Sequence, residues 1–150
     1  MVSYIDFVAE SEPWNYYELE DKTIIKTRFI LVNVVLEGVD EANNPIYSFN
    51  SETIAGTLLP DELMGEPPQK TYTAKERTDA VEKLVAFKIK KEDWNRYKLS
   101  DGNLIEVKLT LVKAARTSLF DARGGRIYLV NTQPVIKITT AKELELARST

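Results

Sequence analysis

The chain has 150 residues, 43% of them hydrophobic and 29% charged, with a formal net charge of −3, the balance of a folded globular protein rather than a disordered one. It contains no cysteine and no histidine, which excludes disulfides, thiolate and imidazole metal ligands, and Ser-His-Asp or Cys-His catalysis. A single domain of this length buries about 68–70% of its unfolded surface, so a core forms without staples.

The N-terminus, Met1-Val2-Ser3-Tyr4-Ile5-Asp6, has no basic segment and puts an acid where a secretion signal needs an apolar run. The longest apolar stretch, 29–36, is broken by Asn33 and falls far short of the roughly 20 residues of a membrane helix. A cytoplasmic protein with no membrane contact is expected. Strand-forming residues concentrate in 3–9, 16–20, 23–36 and 46–57. Asp21-Lys22 stands at the first turn and Asp40 to Pro45 at the second. Over 58–72, Pro60, Gly65, Pro67 and Pro68 mark a loop, and Thr73-Ala74-Lys75-Glu76 has the capping-box pattern that starts a helix. Strands resume over 83–90, 96–100, 103–116 and 126–138, turning at Ser100-Asp101-Gly102 and at Asp121 to Gly125. A second box, Thr140-Ala141-Lys142-Glu143, starts a C-terminal helix.

The second set of strands repeats the first. Trp14-Asn15-Tyr16-Tyr17-Glu18-Leu19-Glu20-Asp21 returns as Trp94-Asn95-Arg96-Tyr97-Lys98-Leu99-Ser100-Asp101, an offset of 80 that becomes 81 in the second hairpin. Over the 46 aligned positions 14 are identical, where average residue usage gives roughly three. The expected organisation is a single domain over 1–150: an acidic β unit (3–57), a linker with a short helix (58–82), a basic β unit (83–138) and a C-terminal short helix (139–150). Alternation gives each unit one dry face, with Ile25, Phe29 and Leu31 in the first and Ile105, Val107, Leu109 and Leu111 in the second. Four strands cannot bury such a face alone. The expected fold is mainly β: two internally duplicated four-stranded units packed as a pseudo-twofold β-sandwich or partly closed barrel.

The units differ in charge. Residues 3–57 carry 3 basic and 10 acidic side chains, whereas residues 83–138 carry 12 basic and 5 acidic. Glu10 corresponds to Lys90 and Glu18 to Lys98, while Val8 and Tyr16 correspond to Lys88 and Arg96. The candidate basic face is Lys88, Lys90, Arg96, Lys98, Arg123 and Arg126; the candidate acidic face is Glu10, Glu18, Glu20, Asp40 and Glu41. Three readings follow. The halves neutralise each other within one molecule; or the acidic face of one subunit meets the basic face of another in a homo-oligomer; or the basic unit binds nucleic-acid phosphates, with Tyr97 or Tyr128 stacking on bases.

The remaining motifs read as structural. Trp14 and Trp94 are expected to cover the edge of each unit's core, with Asn15 and Asn95 shaping the adjacent turn. Asp40, Glu41, Asn43 and Asn44 offer oxygens for calcium, but without EF-hand spacing they read as a plain hairpin loop. Glu10 with Glu12, and Glu18 with Glu20, read as solvated strand faces. No phosphate loop, dinucleotide fingerprint or zinc spacing occurs, so no cofactor, metal or catalytic residue is expected. The function expected is that of a non-enzymatic module for self-assembly or macromolecular interaction through oppositely charged faces, with a protein partner possible and nucleic-acid binding as the alternative.

Overall fold

Period-two alternation is strongest in the two longest apolar runs, and these become the longest strands. The computed structural model describes residues 2–148; Met1, and Ser149 and Thr150 at the end of the expected 139–150 segment, lie outside the described residues. The first half forms β1 (Ser3–Ile5), β2 (Phe7–Ser11), β3 (Asn15–Leu19), β4 (Ile24–Val39) and β5 (Pro45–Leu58). The second forms β6 (Val81–Val85), β7 (Phe87–Lys91), β8 (Asn95–Leu99), β9 (Leu104–Phe120) and β10 (Arg126–Thr139). Between them lie a 3-10 turn, Asp61–Leu63, and helix α1 (Ala74–Asp79), and α2 (Ala141–Arg148) follows β10.

The protein is mainly β, with two five-stranded antiparallel sheets that do not close into a barrel. In one, β5 pairs along β4, whose other side takes β3 near its start and β1 near its end, with β7 outside β3. In the other, β10 pairs along β9, whose other side takes β8 and β6, with β2 outside β8. The runs expected as single strands at 3–9 and 83–90 therefore each break in two. Asp6 and Ala86 are one-residue corners at which the chain leaves one sheet for the other, and their carbonyls accept the amides of Ser100 and Glu20, both at 2.8 Å. Parity explains why the corner is tolerated: Ile5 and Phe7 flank it and both pack on the same core cluster.

Each sheet is thus assembled from both halves, and self-contained four-stranded sheets do not form. The sheets meet through two apolar clusters. Phe29, Leu31 and Val34 of β4 pack on Tyr97, Leu99, Ile105, Val107 and Leu109, and Tyr17, Leu19 and Ile25 pack on Val85, Leu111 and Ala114. Burying each large side chain contributes about 1.5–3 kcal/mol. Val32 and Val112 are left without a partner in the β4–β5 and β9–β10 registers; each is a bulge that resets the parity, so that burial passes from Leu31 to Val34 and from Leu111 to Ala114.

The turns differ in comfort. Lys22 adopts φ 77° where Gly102 adopts φ 89°, and only glycine accepts this region without a Cβ clash. At the second hairpins Asn43 (φ 65°) corresponds to Gly124 (φ 84°). There the Asp40 carboxylate accepts the amides of Ala42 and Asn44, and that of Asp121 accepts Arg123 and Gly125. Asp40 is thereby occupied as a turn former. Both helices start with the reciprocal Thr–Glu bonds of a capping box, Thr73 with Glu76 and Thr140 with Glu143. No helix among the described residues is long and apolar enough to cross a membrane. The linker packs on one hairpin only: the Gly65 amide donates to the Gly124 carbonyl at 2.7 Å and Met64 bridges Gly125, while the tip of β4–β5 stays bare. Replacing Lys22 with Gly is expected to stabilise the protein by about 0.5–1 kcal/mol, read as a higher denaturant midpoint with unchanged slope; a lower midpoint would contradict the assigned backbone strain.

Candidate functional site

Strand exchange follows from how β4 and β9 are flanked. On the inner side of β4, β3 ends its pairing at Thr27 and β1 begins at Val34, which leaves the intervening carbonyls without a strand partner. A buried carbonyl left unbonded costs about 1–3 kcal/mol. Asn95, 1% exposed, reaches across from the other sheet and donates to the Phe29 carbonyl at 2.7 Å. Asn15, equally buried, donates to the Leu109 carbonyl at 3.2 Å and accepts the Asp93 amide. The asparagines are therefore cross-sheet plugs, a larger role than the expected shaping of a turn.

Four tyrosine–carboxylate bonds each join the two halves, two of them beside these plugs and two at the turns that follow β3 and β8. Tyr17 donates to Glu92 at 2.6 Å and Tyr97 to Glu12 at 2.7 Å; Tyr47 donates to Asp101 and Tyr128 to Asp21, both at 2.5 Å. Burial, then the neighbouring carboxylate, raises the phenols: Tyr47 and Tyr128 are pushed up to about 12, and Tyr17 and Tyr97 higher still. Burial opposes ionisation of Asp21, but bonds from Tyr128, Thr23 and Arg116 outweigh it and hold its carboxyl below the usual range. Glu12, its side chain 17% exposed and approached by Arg28, is not the solvated strand carboxylate expected, and its counterpart Glu92, 9% exposed and approached by Lys108, is covered in the same way. Their signal was present: both positions keep Glu across the 80-residue offset, as the tyrosines do.

Outside this buried layer the two charge sets interleave along the seams. Glu10 pairs with Arg96 at 3.2 Å, Glu18 with Lys90 at 3.2 Å and Glu20 with Lys83 at 2.8 Å. Lys90 in particular holds the Glu18 carboxyl below its ordinary value. Arg96 also approaches Glu106. Arg126 bonds Glu82 and lies over Phe120, with its ring at 4.7 Å. Lys88, Lys98 and Arg123 are exposed and make no ion pair among the described residues, and Asp40 and Glu41 are exposed at the bare hairpin tip. Lys88 lies opposite Glu18 in the β3–β7 register, and the two join Glu20, Lys22 and Phe87 around an open groove of about 310 Å³.

Tyr97 is fully buried and Tyr128 is held by Asp21 and Thr23, so neither ring is presented for stacking on a base. Trp14 and Trp94 do not cover the core. Each precedes a buried asparagine and takes the outer face by parity, Trp14 beneath Lys26 and Arg28 and Trp94 beside Lys108. No group of three or more carboxylates that could hold a metal occurs among the described residues. Comparison with protein-family models, curated proteins and solved structures finds no match to this chain.

Two outcomes follow. Asn95→Ala is expected to cost about 1–3 kcal/mol because it strands the Phe29 carbonyl, whereas Arg96→Ala, at an exposed pair, is expected to cost under about 1 kcal/mol; equal costs in denaturant unfolding would contradict the ranking. The phenol values of Tyr47 and Tyr128 are raised on folding, so their stabilisation is complete below pH 10.0 and is lost as pH rises through about 12. In an ultraviolet phenolate titration the Tyr47→Phe/Tyr128→Phe double variant should lose a step near the upper value, and a missing step near pH 10.0 would contradict the assignment.

Proposed function

We propose that this chain is a non-enzymatic, internally duplicated β module that acts through self-assembly or contact with another macromolecule. Duplication is supported by the matched bonds at equivalent positions: Asn15 with Asn95, Tyr17–Glu92 with Tyr97–Glu12, and Tyr128–Asp21 with Tyr47–Asp101. On this reading the chain is a fused pseudo-dimer, and four ion pairs, Glu10–Arg96, Glu18–Lys90, Glu20–Lys83 and Asp21–Arg116, spend part of the opposite charge of its halves on holding them together.

The observation that carries the functional reading is the difference between the two long hairpins. The linker covers the tip of β9–β10, whereas β4–β5 keeps a bare acidic tip; β5 and β10 are both outer strands, each with one strand neighbour. Glu41 at that tip, beside the turn-forming Asp40, and Lys88, Lys98 and Arg123 in the other half are charges of the candidate faces that make no ion pair among the described residues and stay open to an external partner. Light scattering at low and high salt tests this reading. A species heavier than 17.1 kDa is expected, with its population shifting with salt because exposed charges are screened beyond about 8 Å at physiological ionic strength. A monomer under both conditions, well above micromolar concentration, would remove the self-assembly.

A further inference from the structure

We propose that β5 pairs antiparallel with β5 of a second copy of this chain, across a twofold axis at Ile54, so that two five-stranded sheets become one of ten strands. The inference rests on the self-assembly reading above and names its surface and partner.

Backbone direction comes first. The Leu19 amide donates to the Thr23 carbonyl at 2.8 Å, and the register Tyr17 to Ile25 and Asn15 to Thr27 continues that phase. Ile25, Thr27 and Phe29 therefore turn their N–H and C=O groups toward β3 and away from β5. Their mates on β5 are Thr57, Ala55 and Thr53, which consequently direct N–H and C=O outward at the free edge. The same argument holds in the other sheet, where the Leu99 amide donates to the Asn103 carbonyl and Leu109 is paired with Pro134. Pro134 occupies the position corresponding to Thr53, has no N–H to offer, and blocks strand addition. β10 also carries Lys137, a common guard of exposed edges. In β5 the sole charge is Glu52 and the sole proline is the first residue. One of two equivalent edges is guarded and the other is open.

The open edge is complementary to itself. With Ile54 on the axis, this 43% exposed side chain meets its mate, Thr53 opposes Ala55 of the partner subunit, and Glu52 opposes Gly56 of the partner subunit. Gly56 makes room for Lys26, which lies across it with its Cε 3.1 Å from where a Cβ would be. Neither Lys26 nor Glu52 has an oppositely charged partner among the described residues. The axis at Ile54 brings each Glu52 to the face carrying Lys26 of the partner subunit, twice per dimer. An axis at Glu52 would instead set two carboxylates opposite each other.

The test uses the full chain, and its lack of native cysteine makes a single introduced thiol unambiguous. Ile54→Cys is expected to give a disulfide-linked dimer on mild oxidation, where Ile136→Cys on the guarded edge does not. Thr53→Pro, which copies Pro134, is expected to keep the circular-dichroism spectrum while weakening dimerisation at least about tenfold, the loss expected from one blocked edge. Failure of Ile54→Cys to cross-link, or a dimer that persists unchanged in Thr53→Pro, would overturn the β5 pairing; the persisting dimer would leave self-assembly standing through another surface. A wild-type monomer at every concentration would overturn both.

Discussion

Two buried carbonyls, those of Phe29 and Leu109, set the plan of this protein. Each belongs to a long strand whose inner side is shared by two short strands, and each falls in the gap between them. The gap would be destabilising in an ordinary sandwich. Here a single asparagine from the opposite sheet fills it, and the phenol of Tyr17 or Tyr97 closes over the same place, anchored by Glu92 or Glu12 from the other half. Because each plug comes from the partner half, neither half completes its own hydrogen bonding. The two corners at Asp6 and Ala86 then carry β2 and β7 into the sheets where those bonds are made.

The opposite charges of the halves acquire a structural meaning from this exchange. In the observed registers Lys98 faces Val8 and Lys88 faces Glu18. Had β7 paired with β8 of its own half, the equivalent register would set Lys88 directly against Lys98 and bring Lys90 to Arg96. Had β2 paired with β3, Glu10 would lie near Glu18. Like charges directly across a sheet are destabilising and unlike pairs contribute roughly 0.2–1 kcal/mol each. No single exposed pair accounts for much stability. Together they discriminate between two pairings that the apolar pattern alone leaves nearly equivalent, and so select the exchanged one.

Much of this architecture was legible in the residues. Alternation placed Ile25, Phe29, Leu31, Ile105, Val107, Leu109 and Leu111 on the dry faces, and turn chemistry marked both hairpins, because these signals act within a few residues of chain. The exchange was not legible: the choice of neighbour for β2 and β7 is made some 80 residues away, and a corner at a single residue leaves no compositional break. Trp14 and Asn15 show the same limit. The larger, more conspicuous residue went to the surface under two cations, while the small polar one went to the core, where a carbonyl needed it. The charge difference was visible, but its destination depended on strand order.

The halves of this protein are interlocked rather than merely touching. Native-state hydrogen exchange across a denaturant series tests that most directly. The amides of Phe7–Ser11 in β2 and Phe87–Lys91 in β7 should merge with those of β4 and β9 into one opening that tracks global unfolding. Exchange of β2 and β7 in an earlier, separate opening, or two successive unfolding steps that divide the chain at its linker, would contradict it.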